Sequence, residues 1–151
     1  MKETTQKRIL IIEDEKPLAH ALQLKLEHEG FSVVALGSGQ EAYDLLSKEK
    51  FDAVLTDLII PGVDGFSILT LIKDKKMKIP VIVMTNLNQE EDKKKVFDLG
   101  ASDYFVKSNI SISDIVAKVK EKASWFLYYT LTTYDRWQPK YKRDSHTRKL
   151  H

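Results

Sequence analysis

The chain contains no cysteine. Disulfides, thiolate zinc sites and cysteine nucleophiles are therefore excluded, and a reducing compartment suits the composition. Long apolar runs are also missing, since none approaches the ~20 residues needed to span a bilayer. The opening stretch Met1-Lys2-Glu3-Thr4-Thr5-Gln6-Lys7-Arg8 lacks the apolar centre of a secretory signal. These absences predict a soluble, cytoplasmic protein with no membrane partner. Internal repeats, low-complexity tracts and Ser/Gly-rich linkers are absent too. The 151 residues fit one main domain, large enough to bury a core without covalent staples.

Excess charge of one sign is small overall but uneven. Residues 125–151 carry six cations (Arg136, Lys140, Lys142, Arg143, Arg148, Lys149) against Asp135 and Asp144, a net +4. With +2 for the whole chain, residues 1–124 are left at −2. A mildly acidic body thus precedes a basic extension.

Five short apolar runs punctuate the body: Ile9–Ile12, Phe31–Leu36, Ala53–Leu55, Val81–Met84 and Tyr104–Val106. Most are continuous rather than alternating, as expected of strands buried on both faces of a parallel sheet. Helical spacing lies between and after them, in Leu18/Leu22/Leu26, Ala42/Leu45/Leu46, Ile68/Leu69/Ile72 and Ile112/Ile115/Val116/Val119. The charged stretch Glu90–Lys95 supplies a fourth helix. Ser38-x-x-Glu41 and Asn88-x-x-Glu91 have capping-box spacing, and Pro17 suits a first turn. Gly30 and Gly100 stand where helices should stop. Five β-α units in series predict an α/β fold, a doubly wound five-stranded parallel sheet with right-handed crossovers.

In such sheets ligands bind beyond the carboxyl ends of the strands. The first strand ends in Glu13-Asp14, the third in Asp57, the fourth in Thr85 and the fifth in Lys107. Singly, each is an ordinary loop, cap or surface residue; their joint placement on one rim is the informative observation. Three adjacent carboxylates repel one another and call for a cation. A hard, oxygen-loving ion such as Mg²⁺ suits them. Thr85 and Lys107 can hold anionic oxygens, so the rim is suited to a phosphoryl group between a metal and a lysine, with a carboxylate as nucleophile.

At this point the sequence resembles the receiver domain of two-component response regulators, the CheY-like family with a flavodoxin-like (βα)5 fold. The resemblance is carried by Ile9-Leu10-Ile11-Ile12-Glu13-Asp14, by Asp57-Leu58-Ile59-Ile60-Pro61-Gly62-Val63-Asp64-Gly65, by Met84-Thr85, and by Gly100 through Lys107. It covers about residues 7–124, leaving 125–151 as an aromatic and basic extension of unassigned role. It implies that Asp57 accepts a phosphoryl group from a sensor histidine kinase or phosphotransfer protein. Asp14, Asp57 and the backbone carbonyl of Ile59 would ligate Mg²⁺, with Glu13 acting mainly through metal-bound water. Lys107 would pair with the phosphoryl oxygens, Thr85 would swing in to bond them, and Tyr104 would change rotamer in step. The face made by the fourth helix, fifth strand and fifth helix would then be read by a downstream partner. It would also serve, like a lengthened fifth helix, as a homodimer face.

The sequence departs from the family at two places. Ser108 follows Lys107 where proline is usual, so a cis bond there would cost ~2.5–4 kcal/mol. Asn86 replaces a small residue after Thr85, and with bulky Ile59 it is expected to modulate access to the acceptor. These departures keep open an alternative, a pseudo-receiver that binds partners without phosphate. Enzyme classes fit less well. A haloacid-dehalogenase-like phosphatase needs a second aspartate where Ile59 stands, and a dinucleotide site needs glycines where Glu13-Asp14-Glu15 stand. The extension interleaves Trp125, Trp137 and Tyr128, Tyr129, Tyr134 and Tyr141 with cations, but it is too short for a helix-turn-helix, and direct nucleic-acid binding is not expected. Continuation of the fifth helix into it competes with the extended tendency of Tyr128–Tyr134 and the stop at Pro139.

Overall fold

The computed structural model describes residues 6–128, with side chains through residue 123. The order is β1 (Arg8–Ile12), α1 (Lys16–His28), β2 (Ser32–Leu36), α2 (Gly39–Leu46), β3 (Ala53–Thr56) and α3 (Gly65–Asp74). There follow β4 (Val81–Thr85), α4 (Glu90–Asp98), β5 (Asp103–Val106), a 3₁₀ turn (Lys107–Asn109) and α5 (Ile112–Tyr128). All strand pairs are parallel, in the order β2-β1-β3-β4-β5. This is the doubly wound architecture expected, with strand order reversing between β1 and β3.

Strand periodicity builds two cores, one on each face of the sheet. Ile9, Ile11, Leu55, Ile82 and Met84 pack with Leu22 and Leu26 of α1 and with Ile115, Val116 and Val119 of α5. Leu10, Ile12, Val54 and Val83 face Ala42, Leu46, Ile68, Leu69, Ile72 and Val96 from α2, α3 and α4. Leu22 and Leu26 are fully buried, and burying each contributes about 1.5–3 kcal/mol relative to exposure. The apolar runs of β3 and β4 are buried at every residue, whereas edge strand β2 is only half-buried throughout.

The helix ends follow local chemistry. Ser38 caps α2 by accepting from the Glu41 N–H, and Pro17 lies in the first turn of α1. Asn88 does not cap α4, contrary to the spacing. The N-cap is Gln89, without a side-chain bond, and Glu90, Glu91 and Asp92 complement the helix dipole instead. The backbone of α5 runs to Tyr128, beyond residue 124. The remaining expectations for the extension, from Tyr129 onward, fall outside the described residues.

Candidate functional site: an acidic rim with one lysine

The register of the sheet assembles the site. Ile12 pairs with Thr56, so the residues that follow, Glu13 and Asp57, leave the sheet side by side. Thr85 pairs with Val106, which sends Lys107 off β5 just beyond Thr85. The carboxylates of Glu13, Asp14 and Asp57 each place an oxygen within 4.8 Å of the others. Glu13 and Asp57 are buried, while Asp14 is exposed. The Lys107 ammonium reaches Asp57 Oδ2 at 2.8 Å and Glu13 Oε1 at 2.9 Å.

Backbone groups complete the cradle. Asp57 Oδ1 accepts from the Leu58 N–H at 2.6 Å and from the Ile59 N–H at 3.3 Å. Glu13 Oε2 accepts from the Glu15 N–H at 2.9 Å. The loop after Asp57 is tied down by Gly65 N–H to the Leu58 carbonyl (2.9 Å) and Gly39 N–H to the Pro61 carbonyl (3.1 Å). Both ties need glycine for room. A β-carbon on Gly65 would overlap the Asp57 carbonyl oxygen, and one on Gly39 would overlap the carbonyl of Val63.

The charges shift one another. Burial raises the Glu13 carboxyl above its ordinary 4.5, and the negative charge of Asp57 adds to this, against the lowering influence of Lys107 and the Glu15 N–H. Burial alone would lower the Lys107 pKa, but the bond to Asp57 and then the pairing with Glu13 outweigh it. The ammonium is held well above its ordinary value. Three carboxylates against one ammonium leave two negative charges in a largely buried site, a deficit that a divalent cation would balance. Glu13 Oε1 carries the same message. The Lys107 ammonium, shared with Asp57, reaches it at 2.9 Å, and the oxygen keeps a second lone pair for a further partner. An all-oxygen donor set with unmet acceptor capacity fits Mg²⁺.

The other expected residues lie close by but are engaged elsewhere. Thr85 is buried, and its hydroxyl accepts from the Leu87 N–H at 3.3 Å rather than contacting Asp57. Tyr104 is nearly buried, and its hydroxyl donates to the Leu87 carbonyl. Burial, aided by Asp92 and Glu90, raises the Tyr104 phenol above its ordinary value. Leu87 thus links Thr85 to Tyr104, a connection that no sequence signal announces. Ile59 is 60% exposed on the loop after Asp57, and Asn86 is exposed after Thr85. The Lys107–Ser108 bond is trans, as is every described peptide bond, so the missing proline is met without a cis isomer. Sequence reasoning missed Glu15, whose Oε2 lies 3.5 Å from Lys107; its place beside Glu13-Asp14 was the available clue.

A parallel sheet bearing an acidic pocket, a hydroxyl and a lysine on its carboxyl rim sets the class as a receiver-type α/β domain, with no glycine-rich turn after β1 for a dinucleotide. Residues 9–120 match the response regulator receiver domain, and the chain belongs to that family. Among solved structures it is similar to the receiver domain of the Francisella response regulator 1452. The two share 26% identity at a TM-score of 0.74, over 79% of this chain and 98% of that one. It is also similar to a CheY-like receiver domain protein from Methanospirillum hungatei, at 25% identity and a TM-score of 0.76, covering 81% and 97% of the two chains. The signal receiver domain of a histidine kinase from Syntrophus aciditrophicus matches at 29% identity and a TM-score of 0.70, covering 78% and 90%. Receiver domains are regulatory phospho-acceptors, not an enzyme class in the ordinary sense, and they bind Mg²⁺ at an acidic pocket. No helix among the described residues is long and apolar enough to cross a membrane.

Proposed function

We propose that this chain is a phospho-acceptor switch of a two-component system in which Asp57 is the acceptor. The observation that carries the reading is the contact of Lys107 with the Asp57 carboxylate at the mouth of the acidic pocket. An Asp57 oxygen attacks the phosphorus of a phosphohistidine on a sensor kinase or phosphotransfer protein. The P–N bond breaks, the imidazole leaves with its electron pair, and an acyl phosphate forms. Lys107 exchanges Asp57 for a phosphoryl oxygen. Glu13, Asp14, Asp57 and the backbone carbonyl of Ile59 would hold Mg²⁺, which supplies charge neutralisation for the incoming phosphoryl group.

Phosphorylation adds roughly −1.5 to −2 charges at one point. Thr85 leaves the Leu87 N–H for a phosphoryl oxygen, and Leu87 passes the change to Tyr104. The face formed by α4, β5 and α5 then presents a different surface to a downstream partner or to a second copy of the chain. Residues 1–124 form the switch, and 125–151 form an extension to it. Ile59 and Asn86 flank the acceptor and hinder water, so the phosphoryl group is long-lived; rapid release of label from isolated phosphoprotein would overturn that point.

The direct test is intact-mass measurement after incubation with Mg²⁺ and a small acyl-phosphate or phosphoramidate donor. A phosphoryl adduct that requires both Mg²⁺ and Asp57, and is lost in Asp57→Asn, is expected. A folded protein that binds Mg²⁺ but gains no mass would return the reading to a phosphate-independent module.

A further inference from the structure

The opposite end of the sheet has a chemistry of its own. The loop before β3 and the loop before β4 enclose a recess of ≈ 480 Å³, floored by Leu46, Phe51, Met77 and Ile79. Lys48, Lys50 and Lys78 line the same recess and are exposed. A second recess of ≈ 320 Å³ lies across the β4-side loop and shares Met77, Lys78 and Ile79 with the first, adding Lys76. Among the described residues, none of Lys48, Lys50, Lys75, Lys76 and Lys78 has an ion-pair partner.

Nearby carboxylates do not answer this charge. Glu49 itself lines the recess but is held by Arg8 at 2.8 Å, and Asp52 accepts from the Arg8 N–H at 2.7 Å. Asp74, at the end of α3, is the one acidic residue within the lysine-rich stretch Lys73–Lys78. One of those lysines is kept against local preference. Lys76 has φ +54°, a left-handed conformation that glycine or asparagine adopts more readily.

We propose that this recess is a docking site for an acidic peptide segment of a partner protein, with apolar side chains entering the recess and flanking carboxylates meeting the lysines. Charge complementarity selects the partner's sign, and the apolar floor selects its anchors. A nucleic acid would want aromatic faces for its bases. The single aromatic ring here, Phe51, is buried, with the Arg8 guanidinium 4.4 Å above it. A bilayer would want protruding apolar groups, and here they are recessed. The recess lies at the amino ends of β3 and β4 and Asp57 at the carboxyl end, so docking is independent of phosphorylation.

The test titrates a short synthetic peptide of glutamates flanking a leucine–phenylalanine pair into the full ¹⁵N-labelled chain. Saturable shifts confined to amides of residues 46–51 and 75–79 are expected, unchanged in Asp57→Asn. Failure of docking is thereby separable from failure of the phosphoryl chemistry. The triple substitution Lys48→Glu, Lys50→Glu, Lys78→Glu should weaken binding by about tenfold or more. The neutral triple Lys→Gln set should fall between, and both sets should keep the wild-type amide pattern elsewhere. The proposal is overturned by absence of saturable shifts or by equal binding of a lysine-for-glutamate peptide. It is also overturned if a single-stranded oligonucleotide or phosphatidylserine vesicles move the same amides at lower concentration.

Discussion

The two rims of one sheet handle charge in opposite ways. At the carboxyl rim Glu13 and Asp57 are buried, and each is paired with the half-buried Lys107. At the amino rim the lysines are exposed and have no acidic partner among the described residues. A charge removed from water must find its counter-charge inside the molecule, whereas a solvated one is free to meet an external partner. The acidic rim therefore meets most of its charge within the fold, and the basic rim leaves its charge facing solvent.

The sharpest way to break this comparison is to remove one lysine from each end. Lys107→Ala strands buried carboxylates, and urea unfolding without divalent ions should show a loss of about 3–5 kcal/mol. Millimolar Mg²⁺ should restore part of that loss. Lys78→Ala should stay within about 0.5 kcal/mol of wild type. Equal losses at both ends would show that the rims do not differ as described. A smaller effect of opposite sign is expected at Lys76, where glycine relieves the left-handed backbone. Lys76→Gly should raise stability by about 0.5–1 kcal/mol in the same assay.

The smallest effect tests an exposed pair away from both rims. Lys120 of α5 bonds Glu29 beyond α1 at 2.9 Å, and this bond lowers the Glu29 carboxyl below its ordinary 4.5. A depressed carboxyl contributes stability above its unfolded value, and that contribution is lost as pH falls through the depressed one. Lys120→Ala should return the Glu29 titration, followed by NMR, to the ordinary range. An unmoved titration would remove the pair from the ties between α1 and α5.

The fold was legible because five continuous apolar runs alternate with helical spacing, a pattern that dictates parallel pairing. The candidate site was legible because Glu13, Asp14, Asp57 and Lys107 follow strands and Thr85 ends one, and strand ends in a parallel sheet converge. What escaped the sequence depends on distance between segments far apart in the chain. Glu15 reads as one more acid until Lys107 is found beside it. Leu87 acts through its backbone, which no residue type encodes. Asn88 misled because a capping spacing one residue too early looks the same in sequence as a correct one.

The ties on the loop after Asp57 have a mechanical consequence. Gly39 and Gly65 clamp that loop from two helices, and Asp64 caps α3 through the Ser67 N–H. This side of the acceptor is an anvil with little compliance. The segment after Thr85 is held near the site by the Thr85 and Tyr104 hydroxyls on Leu87. On the proposed reading, new charge on Asp57 would meet the glycine-clamped loop on one side and, on the other, a segment held only through the Thr85 and Tyr104 hydroxyls. That reading would send the displacement toward Leu87, because a loop packed without room for a β-carbon at Gly39 or Gly65 has nowhere to move.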